Sequence, residues 1–130
     1  MGVPGPTVLL VDDEPMVRET GRRYLTRAGY TCIEAESIQR AVTLIRQTTV
    51  HAAILDVRLP GHVSGLDLLE SFREQSGLCE IPVLIMTGGI LTPEEELSIT
   101  RQRAFLFYKP EGFGAIIKFL DQLTGRDHAH

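Results

Sequence analysis

Three acids, Asp12, Asp13 and Glu14, follow directly on the apolar run Val8-Leu9-Leu10-Val11, with no basic residue beside them. Asp56 ends a second apolar run, Ala52 to Leu55, Thr87 ends a third, Val83 to Met86, and Lys109 follows Phe105 to Tyr108. If these runs are strands of one sheet pointing the same way, the carboxylates of Asp12, Asp13 and Asp56, the Thr87 hydroxyl and the Lys109 ammonium meet at one edge. Carboxylates held that close raise one another's pKa and titrate together, unless a cation relieves the repulsion. Mg²⁺ suits the set, because it takes oxygen ligands, keeps several waters and shares its shell with phosphate oxygens. A metal on the oxygens, a cation for developing charge, a hydroxyl donor and a carboxylate nucleophile are what phosphoryl transfer requires. The chemistry implied is a carboxylate that becomes phosphorylated.

The rest of the chain must bring these ends together. Short, continuously apolar runs are expected of parallel strands covered on both faces, and Thr31 to Ala35, with Glu34 inside it, suits an edge strand. Helical periods separate the runs. The first has Val17, Thr20, Gly21, Tyr24, Leu25 and Ala28 on one face, between Pro15 and Gly29. The second starts at Ser37 and buries Ile38, Ala41, Val42 and Ile45. The third has Ser64 and Asp67 as a capping pair, with Leu66, Leu69 and Phe72 inward. The fourth opens on a cleaner capping box, Thr92 with Glu95, and offers the core mainly Leu97 and Ile99, so weak anchoring is expected. The fifth sets Phe113, Ile116, Ile117, Leu120 and Leu123 on one side, with Phe119 at the margin. Five strands alternating with five helices predict an α/β domain with a doubly wound five-stranded parallel sheet. In such sheets ligands sit outside the carboxyl ends of the strands, where strand order reverses.

Composition narrows the alternatives. The 130 residues, 43% of them hydrophobic, suit a single domain at 1–125, with 126–130 read as a tail or linker. A formal charge of −4 and scattered Lys and Arg argue against direct nucleic-acid binding. No apolar run is long enough to span a bilayer, and the first residues lack a signal-peptide pattern. Cys32 and Cys79 have no metal-like spacing and suit free thiols in the cytoplasm. His51, His62, His128 and His130 form no ligand set.

The ordered set "VDDE" (Val11 to Glu14), "LDVRLPG" (Leu55 to Gly61) with "SGLDLL" after it, "IMTGG" (Ile85 to Gly89) and "YKP" (Tyr108 to Pro110) resembles the receiver domain of two-component response regulators. No one motif is decisive; the specificity lies in their order and in the intervals of 43, 31 and 22 residues separating Asp13, Asp56, Thr87 and Lys109. The resemblance implies a flavodoxin-like receiver fold with strand order 2-1-3-4-5. It implies that Asp56 accepts a phosphoryl group from a sensor histidine kinase or a histidine phosphotransfer protein. Asp13, Asp56 and the backbone carbonyl of Arg58 would ligate Mg²⁺, with Asp12 acting through a water. Lys109 would pair with the phosphoryl group, Thr87 would swing to hydrogen-bond it, and the peptide before Pro110 would be cis. The same resemblance implies a signalling switch with self-phosphorylation and self-dephosphorylation chemistry, not a turnover enzyme, and a homodimer through the fourth helix, fifth strand and fifth helix.

Some positions depart from the family pattern. Leu106 stands where an aromatic usually precedes the Lys by three residues, so either Leu106 replaces it or the strand register differs by one. Arg103-Ala104 replaces Gly-Ala, and the "PGHVSG" loop looks one residue longer. Taken singly, the acids at 12–14 could be a helix start, Asp56 a solvated loop acid, Thr87 a strand-end hydroxyl, Lys109 a surface charge and Arg58 a solvated rim side chain. Four coincidences in the expected order are harder to accept than one pocket. An acid-nucleophile phosphatase would want a second acid where Arg58 stands. A flavin or nucleotide binder would want a glycine-rich loop after the first strand. A scaffold working without phosphorylation would not need the intact acid, Thr and Lys set.

Overall fold

The structure is a computed structural model and describes residues 5–59, 64–109 and 112–125. Its elements run β1 (Thr7–Val11), α1 (Pro15–Arg27), β2 (Thr31–Ala35), α2 (Ile38–Gln47), β3 (Ala52–Asp56), α3 (Gly65–Glu74), β4 (Val83–Thr87), α4 (Pro93–Arg101), β5 (Phe105–Tyr108) and α5 (Gly112–Thr124). The five strands form one parallel sheet in the order β2-β1-β3-β4-β5, as expected. The chain leaves β1 toward β2 and returns on its other side as β3, so strand order reverses between β1 and β3. The register sets Val11 beside Leu55 and Asp56 beside Met86, which levels Asp12 with Asp56 and leaves Thr87 one residue further out.

Alternation along the strands divides the core in two. Leu9, Val11, Ala53, Leu55, Val83 and Ile85 face α2, α3 and α4 with Ala41, Leu69, Phe72 and Ile99. Val8, Leu10, Ala52, Ile54, Leu84 and Met86 face α1 and α5 with Leu25, Tyr30, Phe113, Ile116 and Leu120. Every residue of β3 and β4 is buried, whereas β2 and β5 are partly exposed edges. The Tyr30 hydroxyl bonds the Asp121 carboxylate at 2.7 Å, joining the start of β2 to α5 across this second layer.

The helix starts follow the capping chemistry. Ser37 accepts from the Arg40 amide, and Ser64 with Asp67 and Thr92 with Glu95 both close reciprocal capping boxes. Thr92→Ala should therefore cost about 1 kcal/mol, read as a lower urea midpoint. The α1 start is different: Glu14 is its N-cap and makes no side-chain cap bond, with Pro15 following. The acids at 12–14 are thus not simply a helix cap.

Several expected core faces shift. Ile99 is the one buried residue of α4, while Leu97 is 48% exposed and points outward. Tyr24 and Leu123 are also partly exposed, although the Tyr24 ring stacks on Phe113. Phe119 is half-buried, its ring edge-on to Phe105 and Phe107 at 4.6 and 5.4 Å. Leu106 packs on the α2-α3-α4 side, and Phe107 on the α1-α5 side. Arg103 adopts φ 59°, the left-handed conformation that follows the end of α4 and that glycine would fill more readily. Arg73 of α3 fastens this corner. Its Nε donates to the Gln102 carbonyl at 2.7 Å, and its Nη1 to the Ile81 carbonyl at 2.8 Å. The peptide before Pro110, most of the "PGHVSG" loop, His62, and the tail with His128 and His130 lie outside the described residues.

Candidate functional site

The strand ends converge as the sequence implies. Among the described residues Asp12, Asp13, Glu14 and Asp56 each bring a carboxylate oxygen within 4.8 Å of the others. Asp12 and Asp56 are buried at the floor, and Asp13 and Glu14 are exposed at the rim. Into the cluster reaches Lys109, whose Nζ lies 3.0 Å from Glu14 Oε1, 3.1 Å from Asp56 Oδ2 and 3.3 Å from Asp12 Oδ2. One ammonium thus stands among three carboxylates. Thr87 is fully buried and its Oγ1 accepts from the Gly89 amide at 3.2 Å, which orients the hydroxyl at the end of β4.

Backbone groups fix the floor. Asp12 Oδ1 accepts from the Glu14 amide at 2.9 Å, and Asp56 Oδ1 from the Arg58 amide at 3.0 Å. Each carboxylate therefore bends back on the loop that follows its own strand, leaving its second oxygen toward the pocket. Arg18 Nη1 donates to the Asp12 carbonyl at 2.7 Å and clamps the loop onto α1. The close approach of α3 matters as well: a Cβ added to Gly65 would stand 2.0 Å from the Asp56 carbonyl oxygen.

Electrostatics identify what the pocket is short of. Burial pushes the Asp12 carboxyl up to about 6, helped by the charge of Asp56 and opposed by the Glu14 amide and by Lys109. Burial also works against the Lys109 ammonium, yet its hydrogen bonds to Glu14 and Asp56 and the charges of Asp12 and Asp56 hold it above the ordinary lysine range. Asp12 Oδ2 is a buried oxygen with no hydrogen-bond partner among the described residues. Lys109 is nearby but supplies one charge to three. An orphaned oxygen in an all-oxygen acidic cluster is the donor set a hard divalent cation wants, and Mg²⁺ fits it.

A measurable consequence concerns Asp12. Because its pKa is raised from 3.8 to about 6 in the folded protein, its ionised form costs stability above pH 6, and that cost disappears as pH falls through 6 toward 4. Asp12→Asn, in chelator, should raise unfolding stability by about 1 kcal/mol at pH 7.5, with the gain shrinking at pH 5. Urea titrations at the two pH values measure it.

Every residue singled out for the site lies at this edge. The structure adds side-chain contacts for two residues, Glu14 and Arg58, that the sequence leaves without side-chain partners. Glu14 bonds Lys109, for which the third acid of the run was the available signal. The Arg58 side chain is half exposed, but it is not merely solvated: it forms a two-pronged ion pair with Glu95, Nη1 to Oε2 at 2.5 Å and Nη2 to Oε1 at 3.0 Å. No spacing rule links two residues 37 positions apart, one in the loop after β3 and the other in the first turn of α4.

A five-stranded 2-1-3-4-5 sheet with an acidic pocket at its switch point and a Lys reaching in after β5 defines a flavodoxin-like α/β domain with a cation-suited site. The chain belongs to the response regulator receiver domain family, whose model matches residues 8–118. Over 84 residues it is 37% identical to the phosphate regulon transcriptional regulatory protein PhoB of Pseudomonas aeruginosa, covering 65% of this chain and 36% of that protein. It is 36% identical over 78 residues to a cyclic di-GMP phosphodiesterase of Thermotoga maritima, covering 60% of this chain and 20% of that one. The chain thus spans about a third or less of these relatives. Among solved structures it resembles the chemotaxis protein CheY4 of Vibrio cholerae, with TM-score 0.81, 25% identity, and coverage of 91% of this chain and 98% of that one. Receiver domains are switches of two-component signalling that bind Mg²⁺ at an acidic pocket and interact with histidine kinases or phosphotransfer proteins. Among the described residues no helix is long and apolar enough to cross a membrane.

Proposed function

We propose that this domain is a Mg²⁺-dependent switch that accepts a phosphoryl group on Asp56. The observation that carries the reading is the Lys109 ammonium, 3.1 Å from Asp56 Oδ2 within a cluster of four carboxylates. Asp13, Asp56 and the Arg58 backbone carbonyl would hold the metal, and Asp12 would act through a bound water. When bound, the metal neutralises the carboxylates and polarises the phosphoryl oxygens.

The chain's own residues do the rest. Asp56 is anchored through Oδ1, which leaves Oδ2 as the attacking oxygen. As the new oxygen–phosphorus bond forms, the nitrogen–phosphorus bond of a partner's phosphohistidine breaks and its electron pair stays on the imidazole. Lys109 exchanges a carboxylate for a phosphoryl oxygen, and Thr87 gives up its turn to hydrogen-bond another. The group itself carries about −1.5 to −2 charges, of which the carboxylate of Asp56 already held one, so the site gains about one negative charge beside a helix whose one buried residue is Ile99.

The donor would be a sensor histidine kinase or a histidine phosphotransfer protein, in the cytoplasm. A homodimer would form through α4, β5 and α5, where a cleft of about 400 Å³ is lined by Ile99, Phe105, Phe107 and Phe119. No direct nucleic-acid contact is proposed for this domain. Intact-mass measurement after incubation with a small phosphodonor tests the reading: one phosphoryl group should be added with Mg²⁺ and none with chelator. An unmodified protein, where a control receiver is labelled, would favour a scaffold that binds partners without phosphorylation.

A further inference from the structure

Arg58 and Glu95 join the loop after the phosphoacceptor to the first turn of α4. The Arg58 amide bonds Asp56 Oδ1, and its guanidinium reaches across to Glu95 and to the Ile90 carbonyl, 3.1 Å from Nη2. Glu95 is doubly used. Its Oε1 accepts from the Thr92 amide at 2.8 Å, closing the capping box that starts α4, and both of its oxygens accept from Arg58. The first turn of α4 is therefore tied to the residue two places beyond Asp56 by a forked, charge-assisted pair, the geometry in which such pairs are strongest. Apart from the Arg73 bond to Gln102 at its far end, little else holds α4: Ile99 alone is buried, and Glu94 and Glu96 are exposed acids with no ion pair among the described residues.

We infer that this pair is a latch: Arg58 holds α4 through Glu95 while Asp56 is bare, and a phosphoryl group on Asp56 draws the guanidinium away and frees the first turn of α4. The inference rests on Asp56 being the phosphoacceptor and adds the residues that transmit its state. Two observations favour competition for Arg58. Its own backbone amide already bonds Asp56 Oδ1 at 3.0 Å, so the side chain starts at the edge of the acceptor. Its side chain is 55% exposed against 18% for Glu95, so the arginine has room to move and the glutamate, fixed by its cap, does not. Glu95 acts through Arg58 and is a positioning residue.

The capping box supplies a clean variant. Gln serves at the third helical position as well as Glu, so Glu95→Gln keeps the α4 cap and removes the charge that retains Arg58. If the latch opposes the phosphoryl group, removing its charge must strengthen binding of a phosphoryl mimic by the same factor. Beryllium fluoride with Mg²⁺ is the probe, titrated by fluorine NMR against the whole chain. Glu95→Gln should tighten binding about fivefold, the scale of a good exposed ion pair, and should have no effect in an Arg58→Ala background. Amide exchange in Glu94 to Leu97 should rise in the wild type on adding the probe, and be fast from the outset in Arg58→Ala. Unchanged affinity in Glu95→Gln, or the same gain with Arg58 absent, overturns the latch and leaves the phosphoacceptor standing. A wild type that does not bind beryllium fluoride overturns both.

Discussion

Asp56→Asn abolishes phosphoryl uptake and leaves the domain folded; this is the largest functional effect expected of any single substitution here. The amide oxygen can still accept from the Arg58 backbone amide, so the turn after β3 has no reason to open. What is lost is the anionic oxygen that Lys109 now holds at 3.1 Å, and with it both the nucleophile and a metal ligand. Lys109 keeps Asp12 and Glu14 as partners, so the pocket does not acquire an unpaired cation. Stability should move by no more than about 1 kcal/mol. Intact mass should show no adduct under conditions that label the wild type fully, and thermal unfolding should show a preserved cooperative transition. An adduct of equal yield in the variant would place the acceptor on another residue.

Gly65→Ala carries a large structural penalty at the site. Its Cβ would lie 2.0 Å from the Asp56 carbonyl oxygen and 2.9 Å from the carbonyl carbon, and both are backbone atoms that cannot rotate aside. Either α3 backs away, opening the core at Leu69 and Phe72, or the end of β3 shifts and takes the acceptor carboxylate with it. A loss of about 3 kcal/mol is expected, read as a fall in the urea midpoint, together with slower phosphorylation of the protein that remains folded. Gly114→Ala in α5 is the matched control. Nothing lies within 4 Å of its added Cβ, so removing a helical glycine should stabilise by about 0.5–1 kcal/mol. Equal losses at both positions would show that the close approach of α3 to β3 does not matter.

The parts that were legible in the sequence are those set by periodicity and order. β3 and β4 read as continuous apolar runs because both faces are covered, and the acids at 12, 13 and 56 were assigned to one pocket because parallel strands point their carboxyl ends the same way. Capping pairs at Ser64 and Thr92 depend on residues three apart, so they too could be read. The outward turn of Leu97 could not, because α4 offers few apolar residues and the helical period alone does not decide which of Leu97 and Ile99 faces the sheet. The left-handed turn at Arg103 was hidden because nothing in an arginine announces positive φ; the local signal was only that a glycine was missing. The Arg58–Glu95 pair depends on where the loop after β3 and the start of α4 fall in space, which no local pattern encodes.

Arg73 gives α4 an asymmetry with a mechanical meaning. The far end of the helix is riveted to α3 through the Gln102 carbonyl and to the entrance of β4 through Ile81, while the near end depends on an exchangeable pair at the pocket. At nine residues the helix is roughly 13 Å long. A body pinned at one end swings as a lever about that fulcrum. Travel should be greatest at Thr92 and least at Gln102, so a chemical event at the sheet edge becomes a tilt of the whole helix face and not a slide along its axis.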